Sequence, residues 1–182
     1  MAEGAARPRE QRLTRTLIVQ TALRLVDTHG VEALSMRKLA AELGVNPMSL
    51  YHHVENKAAL LDGLTRTLTE GARGIVVAGG TWRQQLYLLA HEFRALSRNH
   101  PGLMRYAFTR GTFAERDGPM GQSLRAILIS AGLPSEEAGR IGAVLAALVG
   151  GLLLSEVNAA FADDEGFATA VWLLIDGVAA RV

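Results

Sequence analysis

The 182-residue chain contains no cysteine. Disulfide frames, thiolate nucleophiles and cysteine metal sites are excluded together, and a reducing cytoplasm is the expected setting. The opening residues, MAEGAARPREQR, have no apolar h-region, so no secretory signal is expected there. The longest apolar run, Ile141 to Leu154, is 14 residues and carries Gly150 and Gly151. A membrane-spanning helix needs about 20. A buried helix is therefore expected, and no membrane partner. Alternating strand patterns of useful length are missing too, GIVVAG being too short to count. So are internal repeats and low-complexity tracts. HExxH, GxSxG, a P-loop and a dinucleotide fingerprint are all absent. The acid pairs Glu136/Glu137 and Asp163/Asp164 fall at expected helix starts, where capping explains them. An enzyme is poorly motivated, and no cofactor is expected.

Net charge is also small, +1, but it is unevenly spread. Residues 1–58 hold eight Lys/Arg against six Asp/Glu, or +2; residues 59–182 hold eleven against twelve, or −1. Arg7, Arg9, Arg12 and Arg15 cluster around one acid, Glu10. Such a cluster is either a solvated tail or an arm that follows phosphates.

What is present is helical periodicity, with 49% hydrophobic residues to bury. Ile18, Ala22, Leu25 and Val26 form one helical face, ending at Gly30. Ser35 suits the N-cap of a short second helix, MRKLAAEL, which stops at Gly44. Asn46 caps a third, with Pro47 at its first position, and Asn56 a fourth, with Leu60, Leu64 and Leu68 as its buried stripe. Thr81 and Gln84 form a possible capping box for a fifth, whose apolar face is Leu86, Leu89, Ala90 and Phe93. Residues 102–120 read as irregular, with short helical pieces. Helices follow around Leu124 to Leu128, from Ser135 to about Phe161, and from Asp163 or Asp164 to Val182.

The second and third helices together read MRKLAAELGVNPMSLYHHV. Leu39, Leu43, Val45 and Leu50 are apolar where the two must meet. Ala40 is small where they cross, and Gly44 supplies the positive φ of a tight turn. This is a helix-turn-helix pattern, in which the second helix enters the major groove. His52 and His53 point about 100° apart on a helix, so they do not chelate one metal.

From Leu17 to Leu61 the chain resembles the DNA-binding domain of the tetracycline-repressor (TetR) family. ALSMRKLAAELGV, LYHHV and NKAALLDGL carry the resemblance, in that order. It implies an all-α fold: an N-terminal three-helix helix-turn-helix domain, then an α-helical ligand-binding and dimerisation domain. The expected divisions are a basic arm at 1–13, the DNA-binding domain at 14–58 and the effector domain at 59–182. The resemblance also implies roles. Tyr51 packs beneath the third helix and reaches a phosphate; packing alone is the competing reading. His53 matches a backbone-contacting position. Lys57 and the N–H groups opening the fourth helix suit a phosphate oxygen. Ser35 and Met36 lie beside the backbone. Base reading falls to Pro47, Met48, Ser49 and His52, with Arg37 the candidate for a bidentate guanine contact. Glu55 stands where a basic residue often helps to hold phosphate.

The family implies a homodimer on a double-stranded DNA operator, released by a small-molecule effector. The last two helices are apolar around most of their circumference, a liability unless paired with a second subunit as a four-helix bundle. Candidate pocket residues are Leu89, Phe93, Met104, Tyr106, Phe108, Arg110, Phe113, Met120 and Leu124, with Arg110 suited to an anionic or carbonyl-bearing ligand. In the tetracycline repressors a metal-binding histidine precedes the turn that Thr109 to Gly111 resembles. Tyr106 stands in its place, so magnesium–tetracycline recognition is not expected. A ligand-independent architectural DNA binder and a motif-less helical enzyme are the alternatives.

Overall fold

A computed structural model describes residues 13–70, 79–111, 118–157 and 163–182. The described residues form nine α-helices and no strand. In chain order they are α1 (Arg15–His29), α2 (Met36–Leu43), α3 (Pro47–Tyr51), α4 (Lys57–Thr69) and α5 (Trp82–Asn99). Then come α6 (Pro101–Arg110), α7 (Pro119–Ser130), α8 (Ser135–Val157) and α9 (Asp164–Ala179).

Local chemistry sets most of these boundaries. Thr14, Ser35, Asn46 and Asn56 each accept a hydrogen bond from a backbone N–H in the first turn of the helix that follows. Thr81 and Gln84 close a full capping box at α5. Asp163 accepts from both Glu165 N and Gly166 N at α9.

Two apolar cores hold the helices. The first gathers Ile18, Ala22, Leu25 and Val26 of α1, Leu39 and Ala40 of α2, and Leu50 of α3. It also takes Leu60, Leu61 and Leu64 from α4 and Leu103 from α6. Leu68 is only half-buried; Thr65 and Thr69 share the buried face of α4 instead. The second core joins α5, α6, α7, α8 and α9 around Phe93, Met104, Ile127, Leu153 and Phe167.

Two expectations need correction. Residues 102–120, read as irregular with short helical pieces, hold one regular ten-residue helix over 101–110. Pro101 both ends α5 and opens α6, because a missing N–H costs nothing at a first position. The 14-residue apolar run also understates α8. Ser135–Glu156, 22 residues, is long and apolar enough by length and composition alone to cross a bilayer. Only 28% of its most apolar window is buried within the chain. Ala138, Leu145, Ala146 and Leu153 face the second core, while Val144 and Leu148 are exposed. Residues 158–162, including Phe161, lie outside the described residues, as does the arm before Leu13.

Candidate nucleic-acid interface

The corner between α2 and α3 is a Schellman turn. Gly44 has φ +65° and ψ +28°. Its N–H donates to Ala41 O at 3.2 Å, and Val45 N–H reaches back to Ala40 O at 3.0 Å. Ala40 is fully buried where the helices cross, and Leu50 anchors α3 by the same means. Asn46 Oδ1 accepts Met48 N–H at 2.9 Å, so α3 starts directly after the corner.

With Leu50 inward, the residues around it turn outward. Met48 is 65% exposed and Tyr51 47% exposed. His52 and His53 are exposed at the close of the helix, where His53 N–H donates to Leu50 O at 2.9 Å. Met48, Tyr51 and His52 are spaced i, i+3, i+4 and so share one face. Pro47 and Ser49 are half-buried at its flanks. About half of Tyr51 is therefore open to solvent. Arg37 is exposed on α2, whereas Met36 is half-buried against the first core. Ser35 Oγ accepts Lys38 N–H at 3.1 Å, a capping bond. Lys57 is half-buried at the start of α4, and its Nζ donates to the Glu32 carbonyl at 3.4 Å. An ammonium carries three N–H groups, so this bond leaves capacity for a phosphate oxygen.

Two polar links brace this unit, and neither has a signal in the sequence. Arg24 Nη2 donates to Glu42 Oε1 at 2.8 Å, tying α1 to α2. His100 Nδ1, where α5 meets α6, lies 2.9 Å from Asp27 Oδ2 on α1. The partners are 18 and 73 residues apart, beyond any local pattern.

The nine candidate pocket residues divide. Leu89, Phe93, Met120 and Leu124 line one apolar cavity of about 50 Å³ between α5, α7, α8 and α9. Met104 is fully buried in the second core but does not line that cavity. Tyr106 faces α4 instead, its hydroxyl donating to Asp62 Oδ1 at 3.4 Å. Burial, and then the Asp62 carboxylate, raises the pKa of that phenol above its usual value. Phe108 packs under Gly150 of α8, where an added Cβ would stand 3.2 Å from its ring. Arg110 is exposed, its guanidinium 5.9 Å from the centre of the Tyr106 ring. Phe113 lies outside the described residues. Among the described residues no group of three or more His, Asp or Glu could hold a metal ion.

Residues 18–64 match the bacterial regulatory proteins of the tetR family, and residues 78–173 the tetracyclin repressor-like C-terminal domain. An HTH-type transcriptional regulator of Saccharopolyspora erythraea is 31% identical over 177 residues, covering 93% of this chain and 75% of that one. The HTH-type transcriptional repressor DrrR1 of Streptomyces coeruleorubidus is 42% identical over 93 residues, half of this chain; the match spans 34% of DrrR1. The solved structure of BioQ with its double-stranded DNA operator covers 93% of this chain and 99% of its own, at TM-score 0.72 and 26% identity. The chain belongs to the TetR family of bacterial transcriptional regulators, DNA-binding proteins rather than enzymes.

Proposed function

We propose that this protein is a homodimeric repressor acting in the cytoplasm. It binds a palindromic operator through the major groove and is released when a small molecule occupies the apolar cavity. One observation carries the reading: the Gly44 corner leaves Leu50 buried and turns Met48, Tyr51 and His52 outward together. The likeness to BioQ in its operator complex supports it across nearly the whole chain. On this reading Tyr51, His53 and Lys57 hold phosphates, with Ser35 and Met36 beside the backbone. Pro47, Met48, Ser49 and His52 meet base edges, and Arg37 is the candidate for guanine. Pro47 and Met48 offer only apolar contacts, for instance to thymine methyls.

The outer faces of α8 and α9 support dimerisation. Val144, Leu148 and Leu173 are exposed there, Leu173 at 69%, beside a groove of about 410 Å³. A second copy laid across them as a four-helix bundle removes that surface from water. It also sets two copies of α3 about 34–36 Å apart, one turn of DNA. A ligand needs only to favour a differently spaced state by about 1–3 kcal/mol.

Footprinting on the DNA beside the protein's own coding region, followed by titration of the protected duplex, tests this. The repressor reading requires affinity for that duplex to exceed affinity for random DNA by about a thousandfold or more. Equal affinities would instead support an architectural DNA binder. Lys57→Ala weakens all duplexes alike and lowers the salt slope by about 1, whereas His52→Ala changes the ranking of sequences.

A further inference from the structure

The cavity between α5, α7, α8 and α9 is narrow and almost purely apolar. Every described side chain lining it belongs to Leu, Ala, Val, Ile, Phe or Met. None offers a hydroxyl, an amide, an imidazole or a charge. The lining residues also sit within helices, where backbone N–H and C=O groups are spent along the helix. Met120, the second residue of α7, is the exception, since a first-turn N–H has no partner within its own helix.

Among the described residues, four polar side chains of α5 and α6 are engaged elsewhere or face elsewhere. Arg94, buried on α5, is held by Glu156 and Asp164. Two buried side-chain polar atoms lack a hydrogen-bond partner among the described residues, His91 Nε2 and Ser97 Oγ, and neither residue lines the cavity. Arg110 does not line it either. A carboxylate, an ammonium or a hydrated metal chelate placed here would lose its water and find no counter-charge among the described lining residues.

The cavity is also smaller than the 300–1,000 Å³ or so of typical ligand pockets, so occupation must widen it. Met120 is the side chain placed to yield. Among the described residues it alone lines this cavity, the groove between α7 and α8, and the polar cleft that Asp62 and Arg66 of α4 border. Its unbranched chain reshapes more readily than its branched neighbours.

We infer that the effector is an uncharged, predominantly hydrocarbon molecule, aromatic or aliphatic, which seats between α5, α7, α8 and α9 by displacing Met120. This rests on the proposal that the cavity is the effector site. It replaces the expectation, drawn from Arg110, of an anionic or carbonyl-bearing ligand.

Three probes of one ring shape test it on the full chain: naphthalene, 2-naphthol and 2-naphthoate. Binding is read from the Met120 methyl resonance in protein carrying ¹³C-methyl methionine, and from the rise in Tm. Naphthalene should shift that resonance and raise Tm. 2-Naphthol should bind about ten- to a hundredfold more weakly, since an apolar pocket discriminates only modestly against a hydroxyl. 2-Naphthoate should fall further still. Ala146→Leu, which fills the cavity, should abolish the naphthalene shift. If that variant fails to fold, the ranking of the three probes on the unaltered protein decides alone. Naphthoate binding as tightly as naphthalene, or naphthalene leaving Met120 unmoved at its solubility limit, overturns the inference. Naphthalene seating in the cavity without weakening operator binding upholds the ligand class and refutes release by ligand.

Discussion

Glu156→Gln removes a charge from the point where α5, α8 and α9 meet. Glu156 accepts from Arg94 Nε at 3.0 and 3.1 Å and from Arg94 Nη2 at 2.9 Å. It accepts from Arg98 Nε at 2.9 Å and Arg98 Nη2 at 2.6 Å. The Arg94 and Glu156 side chains are 6% and 10% exposed. Arg94 also stacks over Phe167, 4.5 Å from the ring centre, so its guanidinium is boxed in. Removing one partner of such a pair costs about 3–5 kcal/mol, because the other charge is left buried. Two features reduce this. Gln keeps an acceptor oxygen, and Asp164 still lies 2.9 Å from Arg94 Nη2. The expected loss is therefore about 2–3 kcal/mol. For a chain of this size Tm should fall by about 4–12 °C. Thermal unfolding of both proteins at one fixed concentration measures it, since the proposed assembly would also contribute to Tm.

The same variant has a pH signature. Burial works against ionisation of Glu156, but the hydrogen bonds from Arg94 and Arg98 outweigh it and hold the carboxyl below its ordinary 4.5. A carboxyl depressed in the folded state stabilises fully above its unfolded value and loses that contribution as pH falls through the folded one. The gap between the two proteins should thus be constant from pH 7 to about 5 and shrink below about 4.5. His91 adds a trend common to both. Burial, then the Arg94 charge, lowers its pKa, so stability declines as pH falls below 6.5 while the unfolded chain takes up a proton. The difference between the proteins removes most of that trend. A Gln variant as stable as the parent at pH 7, or a gap unchanged down to pH 3, would refute the account.

Gly44→Ala should cost about 1–2 kcal/mol, because φ is +65° and the added methyl meets nothing within 4 Å, leaving only backbone strain. Gly44→Asn should cost less, and urea unfolding that ranks Ala above Asn would deny that Gly44 sets the corner. Gly63→Ala, in the interior of α4 with open space at its Cβ, should gain about 0.5–1 kcal/mol in the same assay. If the proposed dimer forms through α9, Leu173→Glu should convert it to monomer at micromolar concentration, read by light scattering after gel filtration. An unchanged dimer would remove α9 from the proposed interface.

The parts legible in the sequence are those decided within a few residues. Ser35, Asn46, Asn56 and Thr81 cap the helices they precede because a short side chain reaches an N–H two or three positions on. Gly44 marks its corner because other residues resist positive φ. The outward-facing residues of α3 follow from that corner and from Leu50. The pocket residues were less legible, since lining a cavity depends on which helix arrives opposite. Phe93 and Phe108 look alike in sequence, yet Phe93 meets the cavity and Phe108 meets Gly150. Arg110 beside aromatics reads as a ligand contact; its exposed guanidinium stands by Tyr106 and does not line the apolar cavity.

α6 shows most clearly why a single apolar stripe was not there to be read. Leu103 and Met104 are adjacent and both fully buried, but in different cores. Tyr106 follows Leu103 toward the first core, and Ala107 follows Met104 into the second. Two stripes on one ten-residue helix blur into an apparently irregular pattern. The same doubling makes α6 the joint of the molecule. His100 at its head meets Asp27 of α1, Tyr106 meets Asp62 of α4, and Phe108 abuts Gly150 of α8. Close-packed cores resist small displacements rather than absorbing them. A helix wedged into both therefore cannot shift against α8 without also pressing on α1 and α4.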